Sequence, residues 1–260
     1  MEVMDLKNEV FEKELKRKSL MGPRWKGKNS KASAAAVPMS EIVSQLRLSL
    51  IRSGACGLLS GCSVLVKVGM EQTDLLNRAC FGRPIVAAWE GGQWFQLGLE
   101  EAYYLHHNLN CLEIEGEEGC SMQCGNVWRC IKSRWGSFPF LHKAYAHLRA
   151  KNWVVRPGCQ YGVDYMAYRH HPAVVHSEYA VVVLWGGIDG RLRVWSDFHC
   201  TVRLCGGVAK TLLVLEITEN GYDARGPLDL ERWTVKEYTI TRWCPEKCRE
   251  DQPAIENYKE

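Results

Sequence analysis

The sequence has no uninterrupted apolar run of the roughly 20 residues that a helix needs to cross a bilayer. It also lacks an apolar stretch near its start, where residues 1–18 are charged throughout, so we expect neither membrane insertion nor a secretory signal. No internal repeat with a period of about 20–50 residues is present. With 46% hydrophobic and 24% charged residues among 260, the composition is that of a globular protein and excludes a disordered, collagen-like or coiled-coil chain.

Metal-binding cysteine patterns are also missing, although the chain has twelve cysteines. None of them forms a C-x-x-C pair, and the closest pairs, Cys120 with Cys124 and Cys244 with Cys248, have no suitably spaced histidine pair beside them. Without a secretory signal, a reducing compartment is expected, which argues against disulfides. We therefore expect buried free thiols and no zinc site.

Positive charge is concentrated at the start of the chain. Residues 1–40 contain nine Lys or Arg and five Asp or Glu, a net charge of +4, whereas the whole chain has a net charge of +3. Between Lys16 and Lys31, seven basic residues occur without an acidic one. We expect residues 1–40 to form a basic, disordered tail, which is typical of a nuclear-import signal, a phosphate contact or a merely solvated segment.

Hydrophobic periodicity indicates two mixed α/β units joined near residue 135. It predicts an N-terminal domain over residues 41–135 and a C-terminal domain over residues 136–260. The predicted helices cover 40–50, 71–81, 96–109, 127–133, 140–153 and 196–204. The predicted strands cover 62–68, 83–89, 111–115, 162–168, 177–185, 191–195, 211–217 and 238–243.

The stretch 161–183, YGVDYMAYRHHPAVVHSEYAVVV, holds the most informative candidate residues. Tyr168 ends one predicted strand and His176 opens the next, so the two residues flank a single loop. Lys210 stands just before the apolar strand 211–217. We expect these three side chains to converge on a substrate.

A tyrosine, a histidine and a lysine together suffice to cleave RNA without a metal. A base takes the proton from a ribose 2′-OH, an acid protonates the departing 5′-oxygen, and a cation stabilises the charge that grows on phosphorus. His176 is the natural acid and Lys210 the natural cation. Tyr168 is a poor base unless a cation such as Lys210 stabilises its phenolate. Taken singly, each of these residues is more typical of a structural group.

The spacing of these residues strongly resembles the tRNA-splicing (tRNA-intron) endonuclease family. The resemblance covers roughly residues 75–255. It rests on Y-G-x-D-(three residues)-Y, on H-S-x-Y eight residues further on, and on RLCGGVAKTLLVLEI. AYAHLRAKNWVVRPGCQYG at 144–162 is similar to the family's entry into this domain. QLGLEEAYYLHHNLNCLEI at 96–114 is similar to a helix of the subunit that cuts the 5′ splice site.

The resemblance implies a fold, a reaction and partners. The fold is a small N-terminal α/β domain followed by a restriction-endonuclease-like catalytic domain. The reaction is cleavage of pre-tRNA at the 5′ splice site to a 2′,3′-cyclic phosphate and a 5′-OH, with Tyr168, His176 and Lys210 as the catalytic triad and no metal or cofactor. The partners are a second catalytic subunit and two non-catalytic subunits in a heterotetramer. The resemblance and the basic tail suggest a nuclear protein, with a cytoplasmic pool as an alternative.

The family also clamps a nucleotide between an arginine and a tryptophan across the subunit interface. Arg203 and Trp243 match these residues, so the resemblance implies that they form this cation–π pincer on RNA in the partner's active site. The alternatives from the residues themselves are an exposed helix arginine and a tryptophan that closes the core.

Three other functions stay open at the level of sequence. The chain could be the subunit that cuts the 3′ splice site, although the helix around LEEAYYL argues against it. It could be a non-catalytic scaffold or RNA-binding subunit, although an intact triad argues against that. A metal-dependent nuclease would need a carboxylate pair near a lysine, and Asp164 has no E-x-K companion, while His170 and His171 have no carboxylate or third ligand at useful spacing.

Overall fold

The computed structural model describes residues 23–85, 93–116, 124–186, 192 and 194–240. The helices are α1 Ser30–Ala36, α2 Met39–Ser53, α3 Met70–Ala79, α4 Leu99–Tyr103, α5 Cys124–Arg134, α6 Phe138–Ala150 and α7 Trp195–Gly207. The strands are β1 Cys56–Ser60, β2 Ser63–Val68, β3 Arg83–Ile85, β4 Gln93–Gly98, β5 Glu113–Glu115, β6 Val154–Pro157, β7 Tyr165–Tyr168, β8 Tyr179–Trp185, β9 Thr211–Thr218 and β10 Thr234–Ile240. Among these helices, none is both long and apolar enough to span a membrane.

The strands form two five-stranded sheets that follow each other along the chain. The first has the order β3-β4-β2-β1-β5 and the second the order β10-β9-β8-β7-β6. Each sheet has one parallel pair, β1 with β5 and β8 with β9, and is otherwise antiparallel. The mixed α/β class predicted from the sequence is confirmed.

Helices cover both faces of the second sheet, which explains its apolar strands. Alternate side chains of β8 and β9 enter different clusters, as the two-residue period of a strand requires. One set packs in the large core beneath α6, with members such as Val181 and Leu213. The other set, such as Val182 and Leu212, packs with Cys205 of α7 in a smaller cluster.

The large core is continuous between the two halves of the chain. It contains Leu46 and Phe95 from the first half together with Trp153 and Leu215 from the second. Arg149 of α6 crosses this boundary almost fully buried. Its guanidinium lies 4.0 Å from the centre of the Phe81 ring.

The expectation of a disordered tail over residues 1–40 is wrong for the part of the tail that the structure describes. The segment SKASAAA forms helix α1, because alanine has the highest helix propensity even where no apolar stripe is present. Trp25 forms a β-bridge with Val175. Residues 1–22 lie outside the described residues, as do 241–260.

Two further elements differ from their predicted positions. The predicted helix 96–109 begins at Leu99, because residues 93–98 pair with β2 and the carboxylate of Glu101 accepts a hydrogen bond from the Gly98 amide at the helix start. A strand over 191–195 is wrong in the described positions, since Leu192 lies in a turn with a φ of 60° and Trp195 begins α7. Strands β1, β4 and β6 were not predicted.

Candidate active site

The register of the second sheet brings Tyr168, His176 and Lys210 to one sheet edge. Ala167 of β7 lies opposite Tyr179 of β8, and Tyr179 lies beside Thr211 of β9. Tyr168 therefore ends β7, His176 precedes β8 and Lys210 precedes β9 at the same end of the three strands. Their convergence on a substrate stays a prediction, and the strand register is the observation that supports it.

An ion pair between Arg169 and Glu178 joins the two ends of the loop between Tyr168 and His176. The Arg169 guanidinium donates through Nε and Nη2 to the two carboxylate oxygens of Glu178, at 2.9 and 3.3 Å. The same guanidinium lies 3.9 Å from the centre of the Trp153 ring. A bidentate pair stacked on an aromatic ring has one preferred geometry, so it holds the two ends of the loop in register.

Ser177 connects Lys210 and Tyr168, two residues of the candidate site. The Lys210 ammonium Nζ donates to the Ser177 carbonyl oxygen at 2.8 Å, and the Ser177 side chain forms a hydrogen bond with Tyr168. Ser177 is buried, whereas the neighbouring His176 is exposed. Ser177 therefore holds the lysine and the tyrosine while its neighbour faces the substrate side.

The backbone before Lys210 is fixed by the end of α7. The Lys210 amide donates to the Cys205 carbonyl at 2.8 Å and the Ala209 amide to the Gly206 carbonyl at 3.1 Å. Ala209 adopts a left-handed conformation with a φ of 52°. Gly206 and Gly207 are thus the last residues of a capped helix, and the lysine that follows is anchored.

Burial shifts the pKa of Tyr168 in the direction opposite to that expected of a base. Burial raises the pKa of Tyr168, and the hydrogen bond from Ser177 and the charge of Arg156 lower it by less. The sequence predicted that Lys210 could stabilise the phenolate of Tyr168, whereas the cation that lowers the pKa of Tyr168 is Arg156. The phenol is therefore neutral in the protein without substrate.

The histidine and the lysine lie in a positive environment. Desolvation, followed by the charges of Lys210, Lys26 and Arg24, lowers the pKa of His176, although its ring is exposed. Burial, followed by the charges of Arg24 and Lys26, lowers the pKa of Lys210. Both shifts disfavour additional positive charge, so an anionic group placed between these side chains would be bound favourably.

Arg203 lies apart from these residues, on the exposed surface of α7. Trp195 and His199 are eight and four residues before it, so the three share one helix face, and the Trp195 and His199 rings are 4.6 Å apart in a T-shaped contact. Trp195 is 70% exposed. Trp243 lies outside the described residues.

The histidines and the aspartate that could bind a metal form hydrogen bonds within the protein instead. His170 Nε2 is 3.0 Å from the Val37 carbonyl oxygen, and His171 Nδ1 accepts from the Ala173 amide at 3.1 Å. Asp164 accepts a hydrogen bond from the Val183 amide at 2.9 Å. In the described part of the chain, no three His, Cys, Asp or Glu side chains form a group that could hold a metal ion. The side chains of Cys120, Cys124, Cys244 and Cys248 lie outside that part.

Sequence reasoning missed four residues at this site: Ser177, Arg156, Arg24 and Lys26. Ser177 has a signal in the sequence, since it belongs to the H-S-x-Y motif beside His176. Arg24 and Lys26 belong to the basic run 16–31, for which a phosphate contact was one of the expected roles. Neither they nor Arg156 could be placed at this site from the sequence, because pairing between distant segments brings them here. Arg156 lies on β6, and Arg24 and Lys26 flank the bridge between Trp25 and Val175.

A sheet edge that gathers a phenol, an imidazole and an ammonium group, with no carboxylate cluster among the described residues, defines a candidate site for acid–base cleavage of a phosphodiester. Comparison with known proteins identifies the family. Residues 138–223 match the tRNA intron endonuclease catalytic C-terminal domain, and residues 55–128 match the tRNA intron endonuclease N-terminal domain. The chain belongs to the tRNA intron endonuclease family.

Individual relatives agree with this family. The chain is 52% identical to the tRNA-splicing endonuclease subunit Sen2-2 of Arabidopsis thaliana, over 89% of this chain and 93% of the relative. It is 49% identical to the probable tRNA-splicing endonuclease subunit Sen2 of Oryza sativa, over 90% of this chain and 84% of the relative. It is 30% identical to the tRNA-splicing endonuclease subunit Sen2 of Mus musculus, over 63% of this chain and 37% of the relative.

Proposed function

We propose that this chain cuts intron-containing pre-tRNA at the 5′ splice site and that Tyr168, His176 and Lys210 carry the reaction. The chain is an endoribonuclease by its family and its catalytic domain. One observation carries the assignment of residues: the strand register of the second sheet gathers these three side chains at one edge.

The proposed reaction consists of two proton transfers around one phosphorus atom. Tyr168, as the phenolate, takes the proton of the ribose 2′-OH, and the 2′-oxygen attacks the adjacent phosphorus. The bond from phosphorus to the 5′-oxygen breaks, and His176, as the imidazolium, gives its proton to that oxygen. Lys210 stabilises the negative charge on the non-bridging oxygens. The products are a 2′,3′-cyclic phosphate and a 5′-OH.

The 5′ assignment is supported by the kind of subunit that the chain resembles. The relatives that match about nine-tenths of the chain are Sen2 subunits, the type that cuts the 5′ splice site. The LEEAYYL segment forms α4 and the turn after it, inside the first half of the chain. A scaffold role is disfavoured because all three triad residues are present at one edge.

Partners and cellular location form part of the same proposal. A second catalytic subunit and two non-catalytic subunits would complete a heterotetramer. Arg203, exposed on α7, would form the pincer with Trp243 on RNA held in the second catalytic subunit.

For location we propose the nucleus. Because residues 24–36 take part in the fold, deletion of residues 1–22 alone is the appropriate test for an import signal, and unchanged nuclear accumulation of the chain without its partners would contradict it.

Product analysis tests the proposed chemistry. The assembled complex is incubated with pre-tRNA in EDTA, and the ends of the fragments are identified. Since each proton transfer is assigned to a side chain, we expect undiminished cleavage, a 2′,3′-cyclic phosphate on the upstream fragment and a 5′-OH on the downstream one. Loss of cleavage in EDTA that added Mg²⁺ restores, or a 5′-phosphate product, would contradict the proposal.

A further inference from the structure

The segment 24–26 runs antiparallel to the loop that precedes β8. The Lys26 amide donates to the Val174 carbonyl at 2.9 Å, and the His176 amide donates to the Arg24 carbonyl at 3.0 Å. Trp25 and Val175 form the bridge between these two hydrogen bonds. The start of the described chain is therefore attached by its backbone to the candidate acid.

This pairing fixes where the charged side chains of the segment lie. Residues directly opposite each other in an antiparallel pair have side chains on the same face, so the Arg24 and His176 side chains are neighbours. Lys26 is two residues from Arg24 and shares its face, whereas Trp25 points to the opposite face. The charges of Arg24 and Lys26 accordingly lower the pKa values of both His176 and Lys210.

Within the part of the chain that the structure describes, no carboxylate neutralises the Arg24 or Lys26 side chain. Arg24 and Lys26 are both exposed, and within the described residues neither forms an ion pair with a carboxylate. Elsewhere on the surface, cations such as Lys132 have an acidic partner. Arg24, Lys26 and Lys210 thus make a cluster of like charge around His176, an arrangement that is unfavourable unless an anion is bound there.

We propose that Arg24 and Lys26 bind the phosphate backbone of the RNA beside the scissile phosphate in this chain's own active site. The inference rests on the proposed function, because that function places RNA at this sheet edge. Residues two apart on an extended segment are separated by roughly 7 Å, which suits contact with successive phosphates of one strand. An exposed guanidinium and ammonium that lack carboxylate partners are the groups that bind phosphate oxygens.

A salt titration of RNA binding tests this proposal. The pre-tRNA has a 2′-deoxynucleotide at each of the two cleavage positions, so it lacks the attacking hydroxyl and stays uncut. The affinity of the assembled complex for this RNA is measured at several salt concentrations. Arg24→Ala with Lys26→Ala is compared with Lys28→Ala with Lys31→Ala. Lys28 and Lys31 are exposed cations of the same segment outside the pairing, and their loss changes the net charge equally.

We expect the Arg24 and Lys26 pair of substitutions to weaken binding. It should also reduce the steepness of log affinity against log salt by about 1.4, since each contact with single-stranded RNA contributes about 0.7. The control pair should leave the slope near that of its parent. Arg24→Lys with Lys26→Arg preserves both charges and should also preserve the slope, which separates charge from damage to the segment.

Two outcomes would overturn the proposal. One is an unchanged affinity and slope after loss of Arg24 and Lys26. The other is an equal loss for the control pair, which would indicate only general attraction by the segment. Failure of the proposed function is recognised separately, because the complex without any substitution would then not cut pre-tRNA.

Discussion

His176 and Tyr168 depart from their ordinary pKa values in opposite directions, and this governs how cleavage should depend on pH. The pKa of His176 is lowered from 6.5, mainly by desolvation and by Lys210, Lys26 and Arg24. The pKa of Tyr168 is raised from 10.0, mainly by burial. The reactive form needs a deprotonated tyrosine and a protonated histidine, so only a small fraction of the enzyme holds it.

The fraction in that form is nearly constant between the two pKa values. As pH rises through this range, the gain in phenolate offsets the loss of imidazolium. We therefore predict that kcat/KM for pre-tRNA cleavage is flat from about pH 7 to about pH 9 and falls below the pKa of His176. Single-turnover rates at limiting substrate measure it. A tenfold fall per pH unit across that range would contradict the paired roles.

Arg24 offers a second, independent test of the same electrostatics. Arg24→Ala removes a cation beside His176, so the protonated imidazole becomes more favourable and its pKa rises. The acid limb of kcat/KM should then move to higher pH, while Lys28→Ala should leave it in place. An acid limb that moves to lower pH, or equally in both variants, would contradict this assignment.

At the scale of single elements, the end of α7 sets the position of Lys210. Ala209 has a φ of 52°, a conformation that costs a residue with a side chain about 1–2 kcal/mol and glycine much less. After the entropy that glycine adds to the unfolded chain, we predict that Ala209→Gly raises the free energy of unfolding by up to about 1 kcal/mol. Denaturant titration measures it.

Ala209→Val provides the opposite control, because a β-branched residue is strained at positive φ. It should lower the stability, and the order valine, alanine, glycine should follow the strain. Equal stability of all three variants would mean that the turn does not hold the left-handed conformation.

How far each element could be predicted depended on the strength of its local pattern. The apolar strands β8 and β9 were predicted within two residues, because burial on both faces makes them continuous hydrophobic runs. Strands β1 and β6 have only five and four residues, too few for a clear period. Helix α1 was expected to be linker, because its alanines carry propensity but no apolar stripe.

The residues of the candidate site also differ in how far the sequence could predict them. Tyr168, His176 and Lys210 could be proposed from the sequence because their motifs are local and resemble those of a family. The positions of Arg24 and Arg156 depend on pairing between segments that are far apart in the chain. No local pattern encodes that pairing, so the positive surroundings of His176 became apparent only from the fold.

At the scale of the whole molecule, Arg149 connects the two halves through one buried guanidinium. Its Nη1 and Nη2 donate to the carbonyl oxygens of Ala79 and Cys80 at 3.3 and 3.1 Å, and its Nε donates to the Tyr145 hydroxyl at 2.9 Å. Methionine has a similar length but no donor. It would leave the Ala79 carbonyl and the Tyr145 hydroxyl without this donor, which costs about 1–3 kcal/mol for each group left unpaired. The Cys80 carbonyl would keep a hydrogen bond from Arg156 Nη1 at 3.2 Å. The contact of the guanidinium with the Phe81 ring would also be lost.

We predict that Arg149→Met lowers the free energy of unfolding by about 3 kcal/mol or more. The exposed Arg129, whose side chain donates a hydrogen bond to Asn126, provides the control, and Arg129→Met should stay within about 0.5 kcal/mol of the parent. Urea unfolding of the full chain measures both variants. Equal stability of the two would mean that the buried arginine does not join the halves.

The most direct test of the account compares both cuts on one intron-containing pre-tRNA, made by an assembled complex that carries His176→Ala. Loss of the general acid should slow cleavage at the 5′ splice site by about 10²–10⁴-fold. Cleavage at the 3′ splice site should continue, because in the proposed heterotetramer the second catalytic subunit carries its own site. Near-normal 5′ cleavage by the intact complex, or selective loss of the 3′ cut, would contradict the account.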